Sequence, residues 1–235
     1  MLKKLFYLSM ILFCIFFITA CDSNSTDDDK IVIINGIEYF FWDYDENPYY
    51  FVYGVEDKNI TEAYIEAHIN EYPVRKIGQD IIGWTFGPFE DCDKLRNVFI
   101  PDTVEVIGAH AFERCESLKY INLPETIKVI DGFAFQGCTS LKSISIPNSV
   151  EVISFSSFEW CMDLEFIEMP LNLKSMRESA FENCSSLKEI ELPSGVLSIE
   201  KRAFWGCDSL TKVVVPKSTE INNAFWGDVN IVIIP

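Results

Sequence analysis

From residue 89 onward the apolar positions of this chain fall on a fixed beat of 23 residues. Phenylalanine recurs at 89, 112, 135, 158, 181 and 204, and leucine at 95, 118, 141, 164, 187 and 210. Cysteine keeps the same step at 92, 115, 138, 161, 184 and 207, and proline at 101, 124, 147, 170, 193 and 216. Four residue types locked to one period over six units define an internal repeat, and periods of this size belong to solenoids and arrays. Within the unit Ala111 to Phe133 the pattern changes character twice. Ala111, Phe112 and Cys115 lie one, three and four positions apart, which predicts a short helical turn. Leu118, Ile121 and Leu123 follow; the last two alternate about Asn122, which predicts a strand. Pro124 ends that strand, because it has no N–H for a continuing ladder. Ile127 and Ile130 add an inward pair on the return path. Eight inward positions per unit make only a thin apolar seam, so each unit buries its core by stacking on its neighbours. Parallel strands about 4.8 Å apart would make the six-unit array roughly 30 Å long.

The ends depart from the beat. Ile31 to Ile34, Ile37 to Tyr44 and Tyr49 to Val55 are rich in β-branched and aromatic residues, which predicts strands. Asn35-Gly36 and the Asp45–Pro48 segment (DENP) are turn signals between them. Residues 31–73 are therefore expected to form an N-terminal β cap, and 74–235 the repeat array. The segment Ile60 to Ile69 is open between helix, on its Glu and Ala content, and strand. Near the C-terminus Ala224-Phe225-Trp226-Gly227 restarts a unit, but Asp228 stands where Cys is due. Ile231 to Pro235 (IVIIP) then reads as an apolar last strand whose uncovered edge invites pairing with another chain.

The unit Ala134-Phe135-Gln136-Gly137-Cys138-Thr139-Ser140-Leu141, followed by Ile144, Ile146, Pro147, Val150 and Ile153, resembles the BspA-like leucine-rich repeat. The resemblance runs over about residues 74 to 235. Ser157, Met169 and Met176 depart from it mildly, and a longer stretch from Gln79 to Phe86 precedes Phe89. It implies a leucine-rich repeat solenoid (α/β, β-rich) of stacked 23-residue repeats with a parallel concave sheet and short helical turns. With Tyr72-Pro73-Val74 leading into Ile77-Gly78, it favours a strand in the 60–69 segment. It also implies a cell-surface protein that binds protein ligands, as an adhesin or host-interaction module.

The first twenty residues are of another kind. Lys3 and Lys4 precede an almost wholly apolar run from Leu5 to Ile18, which reads as a secretory signal peptide too short for a confident membrane span. Ile18-Thr19-Ala20-Cys21 resembles the bacterial lipobox, which implies cleavage before Cys21 and diacylglyceryl attachment to its sulfur. Two or more acyl chains, at about 0.8 kcal/mol per buried methylene, hold a protein on a bilayer. The expected location is thus the cell surface or outer membrane, through a lipid anchor at Cys21. Residues 21–30 form the lipidated Cys and a polar, acidic tether containing the SNSTDDDK run.

Charge narrows the partners. The formal net charge is −17, and loss of Lys3 and Lys4 with the signal leaves 17 basic against 36 acidic residues, a charge of −19. Nucleic acid is excluded, since phosphate binding needs a basic footprint. Of the eight cysteines, Cys14 leaves with the signal and Cys21 is the lipid site. The six ladder cysteines would sit about 5 Å from their neighbours, inside the Cα range for a disulfide. Stacked side chains point in parallel rather than converging, however, so free buried thiols are expected. Single cysteines 23 apart also lack the paired spacing of a zinc site. His68 and His110 are not brought together by any pattern, and His110, at a variable repeat position, is expected to face solvent. No nucleophile elbow, phosphate loop or metalloprotease motif occurs, so neither catalysis nor a cofactor is expected.

What varies in each unit is the pair of residues flanking the second strand aliphatic. In leucine-rich solenoids these face the concave side. One column reads Asn97, Tyr120, Ser143, Phe166, Glu189, Lys212, and the other Phe99, Asn122, Ser145, Glu168, Glu191, Val214. The expected binding residues are Phe99, Tyr120, Asn122, Phe166, Glu168, Glu189 and Glu191. Exposed aromatics on a rigid sheet are typical contact anchors, and the acidic half suits a basic partner. A protein ligand is the first expectation, glycan capture by the aromatics the second, and self-association through Ile231 to Pro235 the third.

Overall fold

A computed structural model describes residues 30–43, 46–78, 87–225, 227 and 229–235. The expected signal peptide, the lipobox-like segment with Cys21 and most of the expected acidic tether lie outside the described residues. So do Asp45 of the DENP turn, the Gln79 to Phe86 stretch, Trp226 and Asp228.

The N-terminal strands are β1 (Ile31–Ile34), β2 (Ile37–Trp42) and β3 (Tyr49–Val55), paired as an antiparallel meander. Asn35 and Gly36 both take positive φ (52° and 76°), the type I′ geometry whose twist suits a two-residue hairpin. Next come β4 (Glu62–Tyr64), β5 (His68–Ile69) and β6 (Tyr72–Ile77). The 60–69 segment therefore carries two short strands, Glu62–Tyr64 and His68–Ile69, and no helix. β3 pairs parallel with β6, which carries the meander into the repeat array.

The repeats supply β7 (Asn97–Phe99), β8 (Val106–Ile107), β9 (Val129–Ile130), β10 (Ser143–Ser145), β11 (Val152–Ile153), β12 (Phe166–Glu168), β13 (Ser175–Met176), β14 (Glu189–Glu191), β15 (Ser198–Ile199), β16 (Lys212–Pro216), β17 (Glu220–Ile221) and β18 (Asn230–Ile234). All pairing among these is parallel and runs between repeats. The first strand of each unit stacks in short sheets, β4–β7, β10–β12 and β14–β16–β18, interrupted at Tyr120–Asn122 and again between β12 and β14. The return path is a second strand column, β6–β8–β9 and β11–β13–β15–β17. Ile127 and Ile130 thus mark more than an inward pair; Ile130 sits in a parallel ladder.

A third ladder replaces the expected helical turn. Among the described residues the Ala111–Leu118 segment closes i→i−3 bonds (Cys115 N–H to Phe112 O, Leu118 N–H to Cys115 O) and forms no α-helix. The amides of Phe112 and Arg114 donate instead to Ala134 and Gln136 of the next unit. A helix would consume those N–H groups inside the repeat. Left-handed residues bracket each turn and aim the amides along the stack: His110, Phe133, Ser156, Ser179 and Arg202 on one side, Asp91, Arg114, Gly137, Trp160, Asn183 and Gly206 on the other. Proline both stops the first strand and closes the following turn, its carbonyl accepting from the residue three on, as in Val150 N–H to Pro147 O (3.0 Å).

Between the ladders the core repeats as faithfully as the sequence. Phe89, Phe112, Phe135, Phe158, Phe181, Phe204 and Phe225 stack face to face at 5.2–5.5 Å. The six cysteines beside them are free and buried. Each from Cys115 to Cys207 donates its thiol hydrogen to a phenylalanine carbonyl 26 residues earlier, at 3.1–3.2 Å. Burial pushes every one of these thiols up, Cys92 to about 11 and Cys207 to about 12.

Candidate functional site

The first-strand columns hold their aliphatics inward and their neighbours outward, because side chains alternate along a strand. Ala63, Val98, Ile121, Ile144, Ile167, Ile190 and Val213 are buried. Of the residues beside them, Phe99, Tyr120, Asn122, Phe166, Glu168, Glu189 and Glu191 are all exposed. The large rings are well out in solvent: Phe99 is 50%, Tyr120 60% and Phe166 62% exposed.

The structure adds one residue that the 23-residue beat does not mark. Tyr64 pairs with Phe99 across β4 and β7, and the two rings stack at 4.4 Å and 8° from parallel. Tyr64 is itself 52% exposed. Glu62 anchors this corner, accepting from the Tyr64 hydroxyl and from Asn97 Nδ2, each at 3.1 Å. The bond to the carboxylate holds the Tyr64 hydroxyl above its ordinary pKa. Because their rotamers are fixed by each other, the two rings offer a preformed apolar surface at little further entropic cost. Tyr120 and Phe166 stand apart; among the described residues neither ring stacks on another.

The acidic half is partly compensated. Ser145 donates to Glu168 at 2.8 Å, and Lys212 lies 3.5 Å from Glu189. Glu191 pairs in register with Val214 and has no ionic partner among the described residues. Just off the columns, Glu165 is held below the usual carboxylate range by Lys188 at 2.9 Å. The face therefore changes from aromatic to acidic along the stack.

His110 does not face solvent freely. Its ring stacks on Phe133 at 4.8 Å, its Nδ1 meets Glu113, and its side chain is three-quarters covered. The reason is its left-handed backbone (φ 57°), which turns the side chain along the stack. His68 lies elsewhere, paired with Pro73 through β5 and β6. Among the described residues no group of three or more His, Cys, Asp or Glu is placed to hold a metal ion. Among them also, no helix is long and apolar enough to cross a membrane.

Solved structures share this architecture. The T. pallidum leucine-rich repeat protein is 26% identical, with 85% of each chain covered and a TM-score of 0.68. A leucine-rich repeat protein of Bacteroides ovatus is 24% identical over 86% of this chain and 67% of its own, with a TM-score of 0.56. The pneumococcal vaccine antigen PcpA is 18% identical over 81% of this chain and 49% of its own, with a TM-score of 0.57. The last two likenesses bear on the fold alone. No curated protein aligns with the chain at a significant level. The profile of the family described as BspA type leucine rich repeat region matches residues 85–211 in six copies, over half of the sequence. With its Phe, Cys, Leu and Pro ladders stacked in parallel register, this chain belongs to the BspA-type leucine-rich repeat family.

Proposed function

We propose that this chain is a lipid-anchored surface protein that holds a protein partner, with basic groups, on its first-strand face. The observation that carries the reading is the Tyr64–Phe99 stack, two half-exposed rings fixed on paired strands. Tyr120 and Phe166 extend the anchor set, and Glu168, Glu189 and Glu191 supply the charge that draws a basic partner. The lipobox at Cys21 supplies the anchor, and replacing Cys21 by Ala is expected to remove both the acyl label and the membrane association.

Crosslinking on intact cells would identify the partner. Replacing Phe99, Tyr120 and Phe166 together by Ala is then expected to weaken it by about thirtyfold or more, since buried aromatic anchors contribute roughly 2 kcal/mol or more. An unchanged affinity in that variant would sink the strand face as the site. Affinity for the acidic half is expected to fall with added salt; a salt-insensitive glycan ligand would instead support sugar capture by the same rings. A structural reading is supported by β18, which among the described residues pairs with β16 alone and exposes Ile231 and Ile233. It predicts concentration-dependent dimers, and a strict monomer at high concentration rejects it.

A further inference from the structure

The strand face carries a charged column beside the two already described. One residue ahead of each first-column position stand Arg96, Lys119, Lys142, Glu165, Lys188 and Thr211, all exposed. Glu165 is held by Lys188, but among the described residues Arg96, Lys119 and Lys142 form no ion pair. The face has eight rungs: residues 61–64, 96–99, 119–122, 142–145, 165–168, 188–191, 211–214 and 229–232. Its charges divide at the middle. In the first four rungs the three cations outweigh Glu62, a charge of +2. In the last four, Glu165, Glu168, Glu189 and Glu191 outweigh Lys188 and Lys212, a charge of −2. On a chain of net charge −17 this face is therefore neutral and dipolar.

The last column is ordered in the same sense. It reads Tyr64, Phe99, Asn122, Ser145, Glu168, Glu191, Val214, Val232: apolar at both ends, uncharged and polar before the middle, acidic after it. A two-fold axis parallel to the strands, between the fourth and fifth rungs, lays a second copy on the face with its rung order reversed. Phe99 then meets Val214 of the second copy, and Tyr64 meets Val232 of the second copy. Asn122 and Ser145 meet its Glu191 and Glu168. Lys142 meets its Glu165, with its Glu168 alongside. Lys119 meets its Lys188, which Glu165 already holds, with its Glu189 alongside. Every contact occurs twice by symmetry. The alternative, each rung against its own copy, sets cation on cation and glutamate on glutamate and is disfavoured. A foreign basic protein complements only the acidic half of the face; a second copy complements both halves and both apolar ends.

We propose that the strand face docks a second copy of this chain, in reversed rung order. The proposal rests on that face being the binding face, and it identifies the partner's basic groups as the chain's own Arg96, Lys119 and Lys142. Eight rungs about 4.8 Å apart and about 13 Å across give roughly 450 Å² per copy, at the weak and transient end of interface sizes.

The test is sedimentation equilibrium of the full-length chain in a non-ionic detergent, with micelles in excess. A Kd of about 0.1 mM is expected, weaker than the micromolar floor of interfaces about twice as large. Two chains of net charge −17 also repel as wholes, so salt acts on both effects and the decisive change is charge exchange. Lys119→Glu with Lys142→Glu makes both halves acidic, and Glu168→Lys with Glu191→Lys makes both basic. Each variant alone should self-associate about tenfold or more weakly than the parent, because each reversal recurs by symmetry across the interface. Mixed one to one, the two should pair at least as tightly as the parent, since every reversed group now meets its opposite. All four positions are exposed, so both Tm values should stay near the parent's. Lys119→Ala with Lys142→Ala, which adds no repulsion within the chain, should still weaken pairing severalfold. Variants that share the same micelles without pairing exclude chance co-residence. No association of the parent at several times the expected Kd overturns the proposal. So does association that the reversals leave unchanged, as pairing through the β18 edge would be, or a mixture no tighter than its components. Any of these results leaves a foreign partner on the face to be judged by its own ring substitutions.

Discussion

Alkaline pH is expected to unfold this solenoid through its cysteine ladder. All six thiols are buried, and desolvation raises each of them, Cys92 to about 11 and Cys207 to about 12, with the four between raised well above the ordinary thiol range. An unfolded cysteine titrates near 8.5. The unfolded chain therefore releases protons first as pH rises, and stability falls wherever it binds fewer protons than the native state. Below about pH 8 both states keep the thiol proton and nothing is lost. Between the unfolded pKa and about 11 each cysteine favours unfolding by up to about 1.4 kcal/mol per pH unit, which integrates to roughly 2 kcal/mol per thiol at pH 10. Six rungs together reach roughly 12 kcal/mol, comparable to the whole stability of a typical domain. Urea unfolding followed by circular dichroism under reductant, at half-unit steps from pH 7 to 10.5, measures the slope directly. The slope counts protons, so Cys138→Ala with Cys161→Ala should lower it by about two, whatever the lysines and tyrosines add. Stability that stays level to pH 10.5, or a slope that the double variant leaves alone, would refute the ladder as a set of neutral buried thiols.

Further expectations follow from the same stack. Phe158 contacts Phe135 at 5.4 Å and Phe181 at 5.2 Å, so Phe158→Ala should cost about 4 kcal/mol in urea unfolding. Phe225, paired only with Phe204 among the described residues and half-buried, should cost about half as much when changed to Ala. Equal losses at the two positions would argue against nearest-neighbour coupling between repeats. Ser179, left-handed at φ 57°, should gain about 1 kcal/mol on change to Gly, read as a rise in Tm of roughly 2–4 °C. A fall in Tm would mean that its side chain contributes more than the backbone strain it carries. The folded chain should resist a thiol reagent at pH 8 and react at all six ladder positions in urea, because the thiolate is the nucleophile and burial suppresses it. Rapid modification of Cys138 without denaturant would contradict its burial.

The solenoid was legible because its core is built from what repeats. A phenylalanine stacked on its own copy must recur at every rung, and so must the cysteine whose thiol caps the carbonyl one rung back. Sequence periodicity and spatial periodicity are then one fact. The turn geometry was not legible, and the reason is local. Ala111, Phe112 and Cys115 have the spacing of a helical face, but their amides are drawn away by carbonyls of the next unit. That competition is between repeats, and no single unit displays it. The left-handed positions are masked for the same reason. Phe133, Trp160 and Arg202 carry no sign of the φ they adopt; only Gly137, Asn183 and Gly206, read as a column with them, hint at it.

The candidate face was legible in its pattern and incomplete in its extent. Phe99, Tyr120 and Phe166 emerge because their inward neighbours fix which positions must point out, and strand alternation does the rest. Tyr64 escapes that logic. It lies 35 residues before Phe99 in the sequence, not 23, because the chain between them is longer than one repeat. A beat detects only rungs of equal length, so the first rung of a solenoid is the one it misses. The available signal was Ala63 and Ile65 flanking Tyr64 in an alternating run, a strand pattern without a partner in the series. The consequence bears on experiments with this face. A triple change at Phe99, Tyr120 and Phe166 leaves Tyr64 in place, freed of the ring it stacks on and held by Glu62. Residual binding in that variant should therefore disappear when Tyr64→Ala is added, and the added loss should equal that of Tyr64→Ala in the parent chain if the two rings act as separate anchors. Where they act as one preformed surface, breaking either ring removes most of the contribution of both, and the combined loss falls short of the sum of the parts.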